Sequence, residues 1–272
     1  MKILSLKKAV IALVSIFILF ILLSVIITFH ITKKSSFNET KNIDIDIKEE
    51  NISQNNEENS TELTDEFLCS KYLEKKLVAI TFDDGPSEYT KILIDELKKR
   101  NIPATFFVLG SEVEKHPDIL KFSHDTGNEI AIHSFEHKLF TKLTENEILE
   151  QVSKTKNIIH EITNEDPLLI RVPYGSTNKT ITKVLQLHDL TSVLWNVDSL
   201  DWKFKNTIKT YNYVMKKFKG NDIILMHDTF KTSIETATLV IDKLQSENYI
   251  FVTVSKFLYI KELCIEKQNN TR

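Results

Sequence analysis

The sequence predicts an α/β domain built on parallel strands, and three observations support this fold class. Between residues 77 and 260, short apolar runs alternate with segments whose apolar residues recur at helical spacing. The short runs are apolar at nearly every position, which is typical of parallel strands covered on both faces. Only five glycines occur in 272 residues, and the absence of G-x-G-x-x-G excludes a glycine-rich dinucleotide loop. The alternation fits either an open sheet or a barrel.

Seven strand-like runs are predicted, and helix-like segments lie between most of them. The runs are residues 77–82, 105–109, 129–133, 168–171, 192–197, 222–226 and 249–254. The helical segments are residues 88–100, 145–163, 179–188, 207–217 and 232–247. Thr144 and Glu147 have the spacing of a capping box, which predicts that the second of these helices begins there.

The N-terminal region is predicted to anchor the protein in a membrane. Residues 9–29 carry no charge, and as a helix they would span roughly 31 Å, about one hydrocarbon core. We interpret residues 9–32 as an uncleaved signal anchor, because the run exceeds a typical signal-peptide core and no small-residue cleavage site follows it. The alternative, a buried core helix, is disfavoured by its uniformly apolar composition. The positive-inside rule places residues 1–8 in the cytoplasm, which predicts a single-pass plasma-membrane protein with an extracellular domain.

Residues 33–76 are predicted to form a flexible acidic linker, because they contain few large apolar residues. Within them, residues 35–66 hold ten acidic residues and two lysines, a net charge of −8. Residues 1–34 carry five lysines and no acid, so a total charge of −3 leaves residues 67–272 close to neutral. A near-neutral domain argues against nucleic-acid binding. A domain at 77–260 and a tail at 261–272 complete the predicted organisation. No protein partner is predicted.

The two cysteines lie near opposite ends of the predicted domain. Cys69 precedes it and Cys264 follows it. In an exported chain they can be oxidised to a disulfide. Two unrelated free thiols are an equally good interpretation, and neither cysteine has the spacing of a metal site.

Reactive side chains lie where the predicted strands end. Because the carboxyl ends of parallel strands meet at one edge, where α/β folds place their sites, we expect these side chains to converge. They are Asp83 and Asp84 after the first run, His133 and His137 at the third, Arg171 at the fourth, Asp198 and Asp201 after the fifth, and His227 after the sixth.

Two histidines and one of the paired aspartates have the composition of a metal site. His133 and His137 are four residues apart, so on one helical turn their imidazoles would share a face. Imidazole is the commonest nitrogen ligand of zinc in proteins. Asp84 is the candidate third ligand, which would leave a position open for water. The spacing alone fits a chance surface pair, but the neighbouring aspartates favour a metal.

The adjacent aspartates are explained by the same cation. Asp83 and Asp84 are followed by Gly85 and Pro86, which break the strand and allow both carboxylates to reach the sheet edge. A cation offsets their mutual repulsion, so that one can bind metal while the other acts as a base. The alternative is an Asp-Gly-Pro turn that only caps a helix.

Five short motifs resemble those of the polysaccharide deacetylase family, the NodB-homology domain of carbohydrate esterase family 4. They are TFDDGP at 81–86, HSFEH at 133–137, RVPYG at 171–175, DSLDW at 198–202 and LMH at 225–227, in the family's order. The resemblance covers about residues 77–260. Val172 replaces a frequent proline, and Ala131 and Ile132 stand where the family often has Gly-Asn; neither change removes a predicted ligand.

The resemblance implies a distorted (β/α) barrel of about seven parallel strands and a role for each motif residue. Asp84, His133 and His137 would bind a divalent metal, most often zinc, with cobalt or another divalent ion as alternatives. Asp83 would be the base that deprotonates the attacking water, paired with Arg171, and the backbone N–H of Tyr174 would stabilise the oxyanion. His227, held by Asp201, would be the acid that protonates the leaving amine. Leu225 would lie under the acetyl methyl, and Trp202 would wall the pocket.

The predicted function is removal of N-acetyl groups from a cell-envelope polysaccharide. The membrane anchor together with the resemblance points to N-acetylglucosamine of peptidoglycan. Chitin-like, muramic acid, exopolysaccharide and xylan acetyl groups are alternatives within the same chemistry. A glycan-binding module without turnover is the alternative from a different class.

Overall fold

The computed structural model describes residues 63–270, and its centre is a parallel sheet of eight strands. The strand order is β5-β4-β3-β2-β1-β7-β6, and β8 pairs with the first two residues of β1. No pairing joins β5 to β6 within residues 63–270, so the sheet forms a half-barrel with an open seam there. The strands are β1 (Leu77–Asp83), β2 (Thr105–Leu109), β3 (Glu129–Ser134), β4 (Leu169–Ile170), β5 (Thr191–Ser192), β6 (Val197–Asp198), β7 (Asp222–His227) and β8 (Ile250–Phe251).

Helices cover the outer face of the sheet and one end of the barrel. They are α1 (Asp65–Leu73), α2 (Thr90–Lys99), α3 (Gly110–Val113), α4 (Pro117–Asp125), α5 (Glu145–Thr163), α6 (Lys179–Leu187), α7 (Asp201–Phe204), α8 (Thr207–Lys217), α9 (Lys231–Ser246) and α10 (Val254–Asn270). The predicted capping box of α5 is confirmed, since the Thr144 hydroxyl accepts the Glu147 N–H while the Glu147 carboxylate accepts the Thr144 N–H.

The prediction of one strand at 192–197 is wrong. The segment forms β5 and β6, and the residues between them leave the sheet at the open seam. The carbonyl oxygens of Val193 and Leu194 each accept a hydrogen bond of 3.4 Å from the guanidinium of Arg171. The Arg171 side chain, inside the barrel, thus forms hydrogen bonds with two backbone carbonyl oxygens at the point where a continuous strand was expected. The runs predicted at 168–171 and 249–254 likewise contribute only two paired residues each.

A helical clamp, which we define as α1 and α10 with the disulfide between them, differs from the predicted linker and tail. Helix α1 lies within the segment 33–76 predicted to be flexible, and α10 extends through most of the predicted tail 261–272. Cys69 and Cys264 form a disulfide with Cα atoms 5.6 Å apart, which resolves the open choice between bridge and free thiols. Leu68 and Ile260 are fully buried in the same apolar cluster, so packing orders both helices.

None of the helices within residues 63–270 is both long enough and apolar enough to cross a membrane. The predicted anchor at 9–32 lies outside the described residues, as do residues 1–8 and most of the linker.

Alternation along the strands divides the apolar core into an inner and an outer layer. In β1, Val78, Ile80 and Phe82 pack outward toward the helices, whereas Leu77 and Ala79 belong to the inner cluster. Side chains in a strand point to alternate faces, so Thr81 and Asp83 also point inward. The barrel interior is therefore apolar at the amino ends of the strands and becomes polar at their carboxyl ends.

Candidate active site

The same alternation brings the predicted site residues of three strands into one space. Ala131 in β3 and Ile223 in β7 are inner-layer residues. His133 is two residues beyond the former, and Leu225 and His227 are two and four residues beyond the latter. Strands β1 and β7 are paired with Asp83 opposite His227, so these two side chains are neighbours across the sheet.

A cavity of about 370 Å³ opens at this edge of the sheet. It collects eight of the ten predicted site residues; Arg171 and Asp201 lie beneath it, each held by hydrogen bonds to a lining residue. Asp198, which was expected at this edge but was given no catalytic role, also lines the cavity, as does Trp195, which the sequence analysis did not single out. The lining residues are Asp83, Asp84, His133, His137, Tyr174, Trp195, Asp198, Trp202, Leu225 and His227.

Asp84, His133 and His137 form a cluster that fits a metal ion. Asp84 Oδ1 lies 3.4 Å from Nε2 of His133 and 3.4 Å from Nε2 of His137. One ligand atom from each of the three residues lies within 4.8 Å of the others. Asp84 Oδ1 is buried and has no hydrogen-bond partner among residues 63–270. A buried, unpaired carboxylate oxygen facing two imidazole nitrogens is suited to a divalent cation such as zinc.

Local backbone and hydrogen bonds aim the three ligands. Nδ1 of His133 lies 2.6 Å from the carbonyl oxygen of Arg171. Because a carbonyl only accepts, the proton is assigned to Nδ1, which leaves the Nε2 lone pair free toward the cluster. Burial lowers the pKa of His133, which further favours the neutral imidazole.

The predicted helical turn between the two histidines is wrong. His137 lies in an irregular segment after β3, with φ of 57°, and its N–H donates to the Ser134 hydroxyl at 2.8 Å. The two imidazoles still approach each other, with ring centroids 5.0 Å apart. The spacing therefore indicated the right pair of residues for the wrong local structure.

Asp83 is held by the buried guanidinium of Arg171. Arg171 Nη1 donates to Asp83 Oδ1 at 2.7 Å and to the Thr81 hydroxyl at 2.8 Å. Burial lowers the pKa of Arg171 and the charge of Asp83 opposes that effect, but a guanidinium stays protonated at any accessible pH. The Phe107 ring lies 4.0 Å from the guanidinium carbon and forms the wall behind it. Asp83 thus presents its other oxygen to the cavity beside a fixed positive charge.

His227 and Asp201 form a second buried pair on the opposite side of the cavity. Nδ1 of His227 lies 2.8 Å from Asp201 Oδ1, and the His227 backbone N–H donates to Asp201 Oδ2 at 2.8 Å. Burial alone would lower the pKa of His227, but the hydrogen bond to Asp201 and the charges of Asp201, Asp83 and Asp84 raise it to about 9. A pKa of this value leaves His227 protonated at neutral pH, and its Nε2 lies 3.9 Å from Asp84 Oδ2.

The remaining predicted residues form the walls of the cavity. Tyr174 has a φ of 63° in a short 3₁₀ turn, and its exposed ring packs edge-on against His137 with centroids 4.6 Å apart. Trp202 is about half exposed at 49% and stands at the rim, and Leu225 is buried at the floor.

Two aspartates that received no catalytic role from the sequence have different surroundings. Asp198 Oδ1 accepts the Leu200 N–H at 2.9 Å, as expected for a turn cap, and burial raises its pKa. Asp228 is fully buried behind the cavity, where burial raises its pKa to about 7. Its position directly after His227 was the only available signal in the sequence.

A larger cavity of about 500 Å³ lies at the amino ends of the strands, lined in part by His124, Glu165 and Thr253. Metal-binding clusters were found within residues 63–270 only at Asp84, His133 and His137, so size does not identify the site here.

The fold and the site define a class of proteins: parallel α/β half-barrels with an Asp-His-His cluster and two further carboxylate pairs, Asp83 with Arg171 and Asp201 with His227, at the carboxyl ends of their strands. The sequence model described as polysaccharide deacetylase matches residues 70–193. Peptidoglycan-N-acetylglucosamine deacetylase PgdA of Listeria monocytogenes is 37% identical over 194 residues, which cover 71% of this chain and 41% of PgdA. The chain thus spans about two fifths of the length of that relative.

Two further comparisons cover more of the related protein. A peptidoglycan-N-acetylglucosamine deacetylase of Bacillus cereus is 34% identical over 69% of this chain and 70% of its own length. The structure of peptidoglycan deacetylase PdaC from Bacillus subtilis superposes with a TM-score of 0.69 at 38% identity, covering 72% of this chain and 96% of that one. This chain belongs to the polysaccharide deacetylase family, carbohydrate esterase family 4.

Proposed function

We propose that this protein is a metal-dependent deacetylase that hydrolyses N-acetyl groups of a cell-envelope polysaccharide. The observation that carries the proposal is the unpaired Asp84 oxygen facing two imidazole nitrogens, between a buried carboxylate and a cationic histidine. An amide hydrolase needs a base for the attacking water and an acid for the leaving amine, and the cavity offers one of each.

Asp84, His133 and His137 are the residues that would hold the metal. A divalent cation, most often zinc in such a donor set, supplies Lewis acidity when bound and lowers the pKa of water. The three residues approach from a turn, a strand end and a loop, which leaves the cavity side of the cluster open to substrate.

Asp83 and His227 would perform the two proton transfers. Asp83 accepts a proton from the attacking water, and Arg171 orients its carboxylate through the 2.7 Å hydrogen bond. His227 donates its Nε2 proton to the nitrogen of the departing amine, and Asp201 stabilises the imidazolium before that transfer. The backbone N–H of Tyr174 is the proposed protein donor to the oxyanion of the tetrahedral intermediate.

The proposed substrate is N-acetylglucosamine of peptidoglycan. PgdA and the Bacillus cereus relative are named for that sugar, whereas PdaC of Bacillus subtilis is named a peptidoglycan-N-acetylmuramic acid deacetylase in the same comparison. Both names agree on the polymer and differ on the sugar. Leu225 at the floor suits an acetyl methyl, and Trp202 at the rim suits a sugar face.

The proposed location of the catalytic domain is the outer face of the plasma membrane. The support is the uncharged run at residues 9–29 followed by an acidic segment, which would hold the domain away from the bilayer.

Acetate release tests the proposed reaction. Full-length protein should release acetate from purified peptidoglycan, lose the activity in the presence of a chelator and regain it with zinc. Mass spectrometry of the digested products should show the loss on the glucosamine residues. Loss of acetyl groups from muramic acid instead would show that muramic acid, not glucosamine, is the substrate. Binding of the glycan without acetate release under any divalent metal would support the non-catalytic alternative.

A further inference from the structure

The metal-ligand turn, which we define as residues 83–86, depends on its backbone for the placement of Asp84. Asp84 has a φ of 74°, in the left-handed region that residues other than glycine rarely adopt. Its Oδ1 accepts no hydrogen bond within the described part of the chain. Hydrogen bonding therefore does not hold that ligand oxygen in place, and whatever holds the turn also aims the ligand.

Asp228 holds the outer side of this turn. Its Oδ2 accepts a hydrogen bond from the Thr90 hydroxyl at 2.6 Å, and its carbonyl oxygen accepts one from the Ser87 hydroxyl at 2.5 Å. A Cβ added at Gly85 would lie 2.1 Å from Asp228 Oδ2 and 2.4 Å from Oδ1. The carboxyl group thus lies against the Cα of Gly85, which is covalently next to Asp84.

The same residue is covalently next to His227. Asp228 therefore joins the end of β7, which carries the proposed acid, to the turn after β1, which carries the proposed base and a metal ligand. Its side-chain carboxylate and its carbonyl oxygen accept hydrogen bonds from Thr90, the first residue of α2, and from Ser87, directly after the turn, and the carboxyl group lies against Gly85 within the turn.

Core stability alone does not account for this carboxyl group. Asp228 is fully buried, and its Oδ1 has no hydrogen-bond partner among residues 63–270. Asp228 lines a small cavity of about 10 Å³ together with apolar residues such as Phe106, Val108 and Leu120. Burying an unpaired polar oxygen destabilises a fold, so a purely structural residue here would be expected to be apolar.

We propose that Asp228 is a positioning residue, whose contacts with Gly85 and Thr90 fix the metal-ligand turn and thereby the geometry of Asp84. This inference rests on the proposed metal site but adds to it a residue that touches neither metal nor substrate. Residues that orient metal ligands typically change metal affinity or activity by roughly 10–100-fold when they are replaced.

The test is the zinc affinity of full-length variants, measured by competition with a chromogenic chelator well below the unfolding temperature. Asp228→Ala removes both contacts and should weaken zinc binding by about 10–100-fold. Thr90→Val removes the hydrogen bond to Asp228 and also the one that the Thr90 hydroxyl accepts from the Ser87 N–H at 2.7 Å, and it should weaken zinc binding in the same direction by a smaller factor. Asp228→Asn keeps an oxygen that can accept from Thr90 and should retain the wild-type zinc affinity.

Thr105→Val is the matched control for Thr90→Val. The Thr105 hydroxyl is equally buried and donates to a carboxylate, Glu129 Oε2, at 2.7 Å, but at the amino end of β2, away from the site. It should lower the unfolding temperature without changing zinc affinity.

Equal zinc affinities in Thr90→Val and Thr105→Val would overturn the proposal, as would a loss in Asp228→Asn as large as that in Asp228→Ala. Thr90→Val and Asp228→Asn decide the question even if Asp228→Ala fails to fold. A wild-type chain that binds zinc while the variants show no difference would remove this inference and leave the proposed function standing. A wild-type chain that binds no divalent metal would overturn both.

Discussion

Asp83 and Arg171 are buried side by side, with Nη1 and Oδ1 2.7 Å apart and at most 3% of either residue exposed. Taking two charges out of water is costly, and the cost is offset only when geometry and further hydrogen bonds are good. Arg171 meets that condition through Thr81 and through the carbonyl oxygens at the seam. The pair fixes the Asp83 carboxylate beside a guanidinium in the cavity, where the proposed mechanism places its base.

Asp83→Asn should abolish most of the activity while leaving metal binding intact. The amide cannot accept the proton of the attacking water, so kcat should fall by about 10²–10⁴-fold. Acetate release and zinc affinity should be measured on the same preparation. Asp222→Asn, which changes a buried carboxylate at the amino end of β7, is the control and should keep full turnover. Wild-type kcat in Asp83→Asn would remove this residue from the proposed mechanism.

The pKa of His227 predicts the alkaline side of the pH profile. A pKa of about 9, above the usual 6.5, means that His227 is protonated at neutral pH and that activity is lost as pH rises through that value. Asp201→Asn removes the hydrogen bond to a carboxylate and its charge, so the pKa of His227 should fall. The alkaline limb of kcat/KM should then move to lower pH. An unshifted limb in Asp201→Asn would contradict the assignment of His227 as the acid.

At this scale the motif residues could be predicted from the sequence and Asp228 could not. Asp84, His133 and His137 each end or follow a strand, so the rule that parallel strands place their carboxyl ends together was enough to group them. Asp228 acts through Thr90, which is 138 residues away in the sequence, and through the absence of a side chain at Gly85. No local pattern marks such a pairing.

At the scale of elements, apolar alternation decided which side chains face inward, and long-range contacts decided where strands stop. The inner positions of β1, β3 and β7 follow from a period of two. The break between β5 and β6 does not follow from this period. There the carbonyl oxygens of Val193 and Leu194 accept hydrogen bonds from Arg171, a residue of a different motif. Helix α1 was missed because it directly follows a long acidic and polar segment and was included in it, although only two of its nine residues are acidic. Its order comes from packing on α10.

The helical clamp should stabilise the domain without affecting catalysis. The Cys69–Cys264 bridge closes a loop of 195 residues in sequence separation, and loss of such a bridge typically costs about 2–5 kcal/mol. Cys69→Ser with Cys264→Ser should lower the unfolding temperature, as measured by calorimetry. Acetate release at low temperature should match wild type, because the clamp packs on the inner residues at the start of β1 rather than on the site. An unchanged unfolding temperature would show that the bridge contributes nothing to the folded state.

At the scale of the whole molecule, the proposed arrangement is a catalytic domain that acts on an insoluble polymer from a membrane tether. Chains beginning at residue 1 should fractionate with membranes, whereas chains lacking residues 1–62 should be released. Both should deacetylate a soluble N-acetylglucosamine oligomer equally, since the site lies entirely within residues 63–270. Release of the full chain into the soluble fraction would overturn the predicted anchor.

The central claim is that Asp84, His133 and His137 bind one divalent cation at the mouth of the barrel. Anomalous diffraction at the zinc edge from crystals of the zinc-loaded protein tests it most directly. The predicted result is one strong peak about 2.0–2.2 Å from a carboxylate oxygen of Asp84 and from Nε2 of both histidines. No peak among these three residues, or a zinc peak bound by other side chains, would contradict the claim.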